Sequence, residues 1–337
     1  MEYVVLGRTG VRVSRICVGS AALGVAPLEE DALGLYHRAL DLGINFFDTS
    51  NSYGNQPRFD RPEAPPADQR KAAEEIIGQA LKGHRNEVII ASKVMEPVGT
   101  GVNDRGLSRV HIMQQIEQTL RRLDTDHIDI YYAHHPDPVT PIDQTLRTME
   151  DLVRQGKIRY FALSTFSGWQ LTEAVLTAEK LGVYEPVADQ VPYSLATRRP
   201  EQEIVPASLR FGLSLTCFSP LAGGLLSGTA ATKRAIGGGQ RWRSGQGPGY
   251  TAEQVAVAEQ LETLSAEWGH PPAHLALAWL LSRPAVASAI IGPENIGELE
   301  ENAGAVDVHL SDEQLDILTA IPEPVQPTRP SAATASR

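Results

Sequence analysis

The chain has 337 residues, of which 42% are hydrophobic and 21% charged. That balance excludes a disordered segment, a disulfide-stapled miniprotein and a fibrous repeat, and a chain this long can bury a full core unaided. Lys and Arg number 30 against 41 Asp and Glu, a formal charge of -11. This argues against nonspecific binding to nucleic acid or anionic membranes, both of which draw on excess Lys and Arg.

The opening, residues 3–6 and 11–13 around Thr9-Gly10, reads as a β-hairpin. Apolar runs follow at 16–18, 44–47, 88–90, 128–132, 158–162, 186–188, 213–218 and 286–291. Helical patterns lie between them at 29–42, 72–81, 108–123, 143–155, 169–181, 201–211 and 251–267; another at 271–282 precedes the last run and one at 296–303 follows it. Alternating strands and helices imply right-handed βαβ units, and eight of them close most simply into a (β/α)8 TIM barrel. No G-x-G-x-x-G follows the first strand, which removes the best support for a Rossmann fold. One barrel domain over 1–321 is expected, then a Pro/Ala/Ser-rich tail at 322–337 that reads as disordered. Two long loops, 54–69 and 223–250, should lie at the C-terminal face, where barrel active sites are built.

Residues 1–10 lack the basic and apolar regions of a signal peptide. No uncharged apolar run approaches the roughly 18 residues of a membrane span, so a cytoplasmic protein is expected. Cys17 and Cys217 sit in apolar runs and read as two buried thiols.

Polar residues at the ends of the expected strands carry the chemistry. Asp48 ends the second run, with Tyr53 five residues on in DTSNSYG; Lys93 ends the third in IIASKV and His134 the fourth in YYAHHPD. Taken singly they read as a turn cap, a loop aromatic, a solvated lysine and a hydrogen-bonded barrel histidine. At three successive strand ends they converge on one mouth. A metal site built from Asp48, His134, His135 and Asp137 competes. However, Gly19-Ser20-Ala21 rather than H-x-H follows the first strand, and a lysine beside a tyrosine suits proton donation better than ligation. No metal is expected.

Those motifs, with LRRLDTDHIDIYYAHHPDP, the GKIRY stretch at 156–160, FSPLAGGLLSG and IIGPENIGELEEN, make the chain resemble the aldo-keto reductase superfamily. It is nearest the branch of bacterial reductases and potassium-channel β-subunit-like proteins. The likeness runs from LGRTG to about residue 314 and implies a barrel that moves hydride between a nicotinamide cofactor and a carbonyl. It makes Tyr53 the general acid, Asp48 and Lys93 its supporting pair, and His134 the residue that orients the substrate oxygen. A phenol ordinarily titrates near pH 10, too high to donate readily at neutral pH. A lysine charge about 4 Å away is worth about 4 kcal/mol at an effective dielectric of 20, which eases that donation.

The resemblance also implies cofactor contacts. Ser164 and Gln190 match the carboxamide-binding positions, and Thr165 stands where many members have Asn. Phe218 matches an aromatic that stacks on the nicotinamide, followed by Ser219-Pro220-Leu221-Ala222-Gly223 as a pyrophosphate loop. Gly19 and Ser20 match the strand end that touches the cofactor, and Glu301 and Asn302 the adenine contacts. Gly292 and Glu298 occupy positions where many members carry Lys and Arg for the 2′-phosphate. Glu298 suits the ribose of NAD(H), whereas Lys233, Arg234, Arg241 and Arg243 offer phosphate contacts, with Arg241 the best match; NADP(H) is favoured. The substrate would be a small aldehyde, ketone or sugar in a pocket lined by Ala21, Ala22, Asn51, Asn55, His135 and the loops 56–69 and 229–250. The alternatives are an NAD-linked sugar or secondary-alcohol dehydrogenase and, from another class, a cofactor-binding regulatory subunit with slow turnover. The sequence leaves open whether the chain is a monomer or a homo-oligomer.

Overall fold

The computed structural model describes residues 1–57, 60–61, 64–228 and 250–324. At its start β1 (Tyr3–Val5) and β2 (Arg12–Ser14) pair antiparallel, with Val4 opposite Val13. Thr9 Oγ1 donates to the Leu6 carbonyl at 2.7 Å and closes the turn. Gly7 in that turn has φ +51°, and a Cβ there would lie 2.3 Å from the Val187 carbonyl oxygen, so the close approach of hairpin to barrel requires glycine.

Eight parallel strands close the barrel: β3 (Ile16–Gly19), β4 (Phe46–Asp48), β5 (Ile89–Val94), β6 (Ile128–Ala133), β7 (Ile158–Ser164), β8 (Ala188–Pro192), β9 (Ser214–Phe218) and β10 (Val286–Ile291). β10 pairs back onto β3, with Ile290 opposite Cys17. Around them run α1 (Glu29–Asp41), α2 (Ala73–Ala80), α3 (Arg109–Arg122), α4 (Ile142–Arg154), α5 (Gly168–Leu181), α6 (Ile204–Phe211), α7 (Ala252–Trp268), α8 (Pro272–Leu281), α9 (Ile296–Gly304) and α10 (Asp312–Ala320).

Strand alternation divides the core into two apolar clusters. One is the barrel interior, with Cys17, Phe46, Ala91, Ile130, Tyr132, Ala162 and Ala188, joined by Leu6 and Val13 of the hairpin region. The other is the shell between strands and helices, and includes Phe47, Tyr131, Phe161, Cys217 and Trp279. The two cysteines are free and buried, one in each cluster.

The eight strands appear in the expected order, with shifts that have physical causes. The sixth expected strand, 186–188, is displaced to Ala188–Pro192. Asp189 and Gln190 interrupt the apolar run there, yet a barrel strand carries polar side chains where it approaches the mouth. α6 starts at Ile204 rather than at 201, because Arg199–Glu201 around Pro200 forms a separate 3-10 turn. α10 was not foreseen, although Ser311 and Gln314 spell its capping box. The expected disordered tail from 325 onward, and the stretch 229–249, lie outside the described residues. Among the described residues no helix is long and apolar enough to cross a membrane.

Candidate active site

Counting two residues along each strand from the interior cluster leads to the mouth. Cys17 leads to Gly19, Phe46 to Asp48, Ala91 to Lys93, Tyr132 to His134, Ala162 to Ser164 and Ala188 to Gln190, and Thr216, whose hydroxyl meets that of Tyr132 at 3.1 Å, leads to Phe218. Since side chains alternate across a strand, these residues share the inward phase of seven neighbouring strands.

Lys93 is fully buried. Its Nζ donates to Asp48 Oδ1 at 2.5 Å and to the Thr49 carbonyl at 2.8 Å, and lies 4.8 Å from the centre of the Tyr53 ring. Burial works against the ammonium charge, but Asp48 and the Tyr53 hydroxyl outweigh it, so the lysine is held above its ordinary value and stays charged. The second oxygen of Asp48 accepts from Gln190 Nε2 at 2.8 Å. Tyr53 Oη lies 3.3 Å from His134 Nε2, and the two rings meet edge to face at 5.6 Å. Ser50 Oγ lies 3.3 Å from His134 Nδ1. A proton donor and an imidazole therefore meet at one point, above a sealed ion pair. This arrangement can polarise a carbonyl oxygen and deliver a proton to it.

The loop that carries Tyr53 is tied to the barrel and to the helical shell. The backbone N–H of Thr49 donates to Ala91 and that of Asn51 to Lys93, while the Tyr53 carbonyl accepts from Ala73 at the start of α2. Asn51 was expected to line the pocket; instead its side chain is buried and donates to Gln115 of α3 at 3.1 Å. Arg122 reaches the Asn51 carbonyl at 3.3 Å and Glu74 Oε2 at 3.2 Å. Glu74 Oε1 accepts from Ser92 at 2.7 Å and Thr119 at 2.8 Å. Complete burial pushes the Glu74 carboxyl up despite these donors.

His135 stacks on His134 at 4.7 Å with the rings 7° from parallel. Its Nδ1 lies 2.7 Å from Thr165 Oγ1 and its Nε2 2.8 Å from Glu96 Oε1. Glu96, His134 and His135 bring ligand atoms within 4.8 Å of one another. The nearly parallel rings keep their lone pairs in separate planes, so one ion could meet both only if a ring turned. The other expected ligands are engaged elsewhere: Asp48 as above, and Asp137 by Leu107 N, Val139 N and Thr140 Oγ1.

Several of the positions implied for a nicotinamide dinucleotide stand at the ends of the strands that form this mouth. Ser20 Oγ is buried with no hydrogen-bond partner among the described residues, an orphaned donor of the kind a bound polar group would satisfy. Ser164 Oγ and Thr165 N both donate to the Gln190 carbonyl, at 3.2 and 2.9 Å. Phe218 is half-buried at the end of β9. Beyond it Ser219, Ala222, Gly223 and Gly224 have φ of +53°, +50°, +69° and +98°, while Pro220 is buried and Leu221 half-buried. Left-handed backbone at serine and alanine is strain of the sort found at ligand clamps. These features fit a dinucleotide. A Cβ on Gly19 would lie 2.7 Å from Ile290 Cγ2, whereas one on the exposed Gly292 would meet nothing within 4 Å. Glu298 Oε2 accepts from Glu294 N at 3.0 Å and Oε1 from Asn295 Nδ2 at 3.2 Å, which places its carboxylate at the start of α9. Glu301 is exposed on that helix and Asn302 half-buried. Arg241, with Lys233, Arg234 and Arg243, lies outside the described residues.

Sequence reading missed Thr49, Ser50, Glu74, Glu96, Gln115 and Arg122. Thr49, Ser50 and Arg122 sat inside quoted motifs without being singled out; Glu74, Glu96 and Gln115 gain meaning only through contacts across the chain.

The family model for the aldo/keto reductase family matches residues 15–323. The chain is 39% identical over 328 residues to an uncharacterized oxidoreductase, YrpG, of Bacillus subtilis, covering 95% of this chain and 96% of that one. It is 34% identical to a probable voltage-gated potassium channel subunit beta of rice, with 95% and 96% covered. It is 33% identical to the aldo-keto reductase AMT2 of Alternaria alternata, with 93% and 89% covered. With a closed parallel barrel and a match of this extent, the chain belongs to the aldo/keto reductase family of oxidoreductases.

Proposed function

We propose that the protein reduces the carbonyl of a small aldehyde, ketone or sugar at the expense of NADPH, with Tyr53 as general acid. The observation that carries this is the meeting of Tyr53 Oη with His134 Nε2 at 3.3 Å, beside a Lys93 ammonium held by Asp48. A bound nicotinamide supplies the hydride. His134 directs the carbonyl oxygen towards the phenol, and Tyr53 passes its proton to that oxygen as negative charge develops there. Lys93 stabilises the phenolate left behind, and Asp48 fixes the lysine. Ser20, Ser164, Gln190 and Phe218 would seat the nicotinamide, and the strained loop after β9 the phosphates.

Tyr53→Phe tests this reading. It should lower NADPH-dependent aldehyde reduction by about 10²–10⁴-fold while leaving NADPH binding, followed by fluorescence, unchanged. Activity within a few-fold of the parent would remove Tyr53 from the role of acid.

A second reading, NAD-linked oxidation of a sugar or secondary alcohol, draws support from Gly292 and Glu298, neither of which supplies a cation for a 2′-phosphate. Against it, both Glu298 oxygens serve the start of α9, which leaves less of the carboxylate for a ribose hydroxyl. Separate titrations with NADPH and NADH decide between the two: preference for NADH favours oxidation.

A further inference from the structure

We propose that Glu96 and His135 act as positioning residues that turn the Thr165 hydroxyl into a hydrogen-bond acceptor for the nicotinamide carboxamide. This inference rests on the nicotinamide-binding reading above.

Thr165 is a β-branched residue at φ +59°, a backbone conformation that such residues rarely adopt. Its N–H is fixed to the Gln190 carbonyl at 2.9 Å, and its hydroxyl oxygen sits 2.7 Å from His135 Nδ1. His135 is constrained on three sides: the ring lies flat on His134, Nδ1 meets Thr165, and Nε2 meets Glu96 at 2.8 Å.

The direction of these hydrogen bonds follows from what each group can do. An ionised carboxylate accepts only, so the proton of a neutral His135 resides on Nε2 and Nδ1 becomes an acceptor. Thr165 then donates its single hydroxyl proton to Nδ1 at 2.7 Å, which is much nearer than its other acceptor, the His134 carbonyl at 3.5 Å, and its remaining lone pairs can only accept. The same logic applies next door. The Asp48 carboxylate takes the Nε2 amide hydrogen of Gln190 at 2.8 Å, which leaves Gln190 Oε1 as an acceptor. A carboxamide NH₂ offers two N–H donors. Thr165 Oγ1 and Gln190 Oε1 give this wall two acceptor oxygens, each set by a carboxylate behind it: Glu96 through His135, and Asp48 directly. The chain Glu96–His135–Thr165 thus fixes the polarity of one half of the seat.

The test is a set of fluorescence titrations with NADPH and with an analogue whose carboxamide is replaced by an acetyl group, which has no N–H to donate. His135→Phe keeps the aromatic stack but removes both nitrogens. Glu96→Gln presents an amide that can donate to Nε2, which moves the ring proton to Nδ1 and turns Thr165 into a donor. Each should weaken NADPH binding about three- to tenfold and change kcat less, and neither should weaken binding of the acetyl analogue by more than about twofold. In a Thr165→Asn background, where the side chain brings its own amide oxygen, His135→Phe should no longer matter. Equal loss with NADPH and the acetyl analogue, or equal loss in the Thr165→Asn background, would overturn the proposal in favour of a merely structural role. Unaltered NADPH binding by His135→Phe and Glu96→Gln overturns it as well and leaves the nicotinamide reading intact. A parent protein that binds neither NADPH nor NADH overturns both.

Discussion

Removal of the ammonium in Lys93→Met should be severe for two separable reasons. The Lys93 and Asp48 side chains are 0% and 4% exposed, so the variant leaves a carboxylate inside the barrel with the Gln190 amide as its remaining donor among the described residues. Breaking one side of a buried ion pair costs about 3–5 kcal/mol. At about 2–4 °C per kcal/mol, the melting temperature should fall by about 6–20 °C. The double variant Asp48→Asn/Lys93→Met buries no charge and should return to within about 1–2 kcal/mol of the parent. Urea unfolding and thermal melts, both followed by the fluorescence of the four tryptophans, read the free energies and the melting temperatures. Additive losses in the double variant, or a cost below about 1 kcal/mol for Lys93→Met, would refute the account of the pair.

The catalytic consequence is read separately. If Tyr53 is the acid proposed above, a lysine charge about 4 Å from its phenol is worth about 4 kcal/mol at an effective dielectric of 20, so turnover should fall by about 10³. The pH dependence has a definite sign. Because folding raises the Lys93 pKa above its ordinary 10.5, the stability from this lysine is fully present below that value and disappears as pH rises through the folded pKa. It should contribute no slope between pH 6 and 9.

Two further outcomes follow from the backbone. Gly292 is exposed with open space around its Cβ position, so Gly292→Lys should fold normally. The added charge should favour NADPH over NADH about fivefold, the value of about 1 kcal/mol for a solvated charge pair near 4 Å; an unchanged ratio would place the 2′-phosphate elsewhere. Gly7→Ala combines a left-handed backbone, worth about 1–2 kcal/mol, with a 2.3 Å approach to the Val187 carbonyl. It should lower the urea midpoint clearly, whereas Gly182→Ala, with φ +64° but nothing within 4 Å, should show the backbone cost alone.

The barrel was legible because its signal is local: each strand is a short apolar run and each helix an amphipathic stretch. Legibility failed where one requirement overrode that pattern. At β8 the chain needs polar side chains in the interior, so the apolar run 186–188 marks the approach to the strand and misses Gln190. Asp48, Tyr53, Lys93 and His134 could be picked out because they end or closely follow predicted strands. The supports behind them could not, since Glu74, Gln115 and Arg122 look like ordinary polar positions on amphipathic helices until the fold brings them against the loop of Asn51. Glu96, three residues beyond Lys93, carried no motif at all.

The Asp48 carboxylate gives one oxygen to Lys93 and the other to Gln190. The group that steadies the charge beneath the phenol also anchors the amide on the opposite wall of the mouth. These two walls are therefore mechanically geared to each other rather than independent. A substitution at Gln190 frees an Asp48 oxygen and lets the carboxylate swing, so on the proposed mechanism a change installed for cofactor affinity should register in the proton-transfer step as well. Redesign of the Gln190 wall would have to keep a donor facing Asp48 if the setting of Lys93 beside Tyr53 is to be preserved.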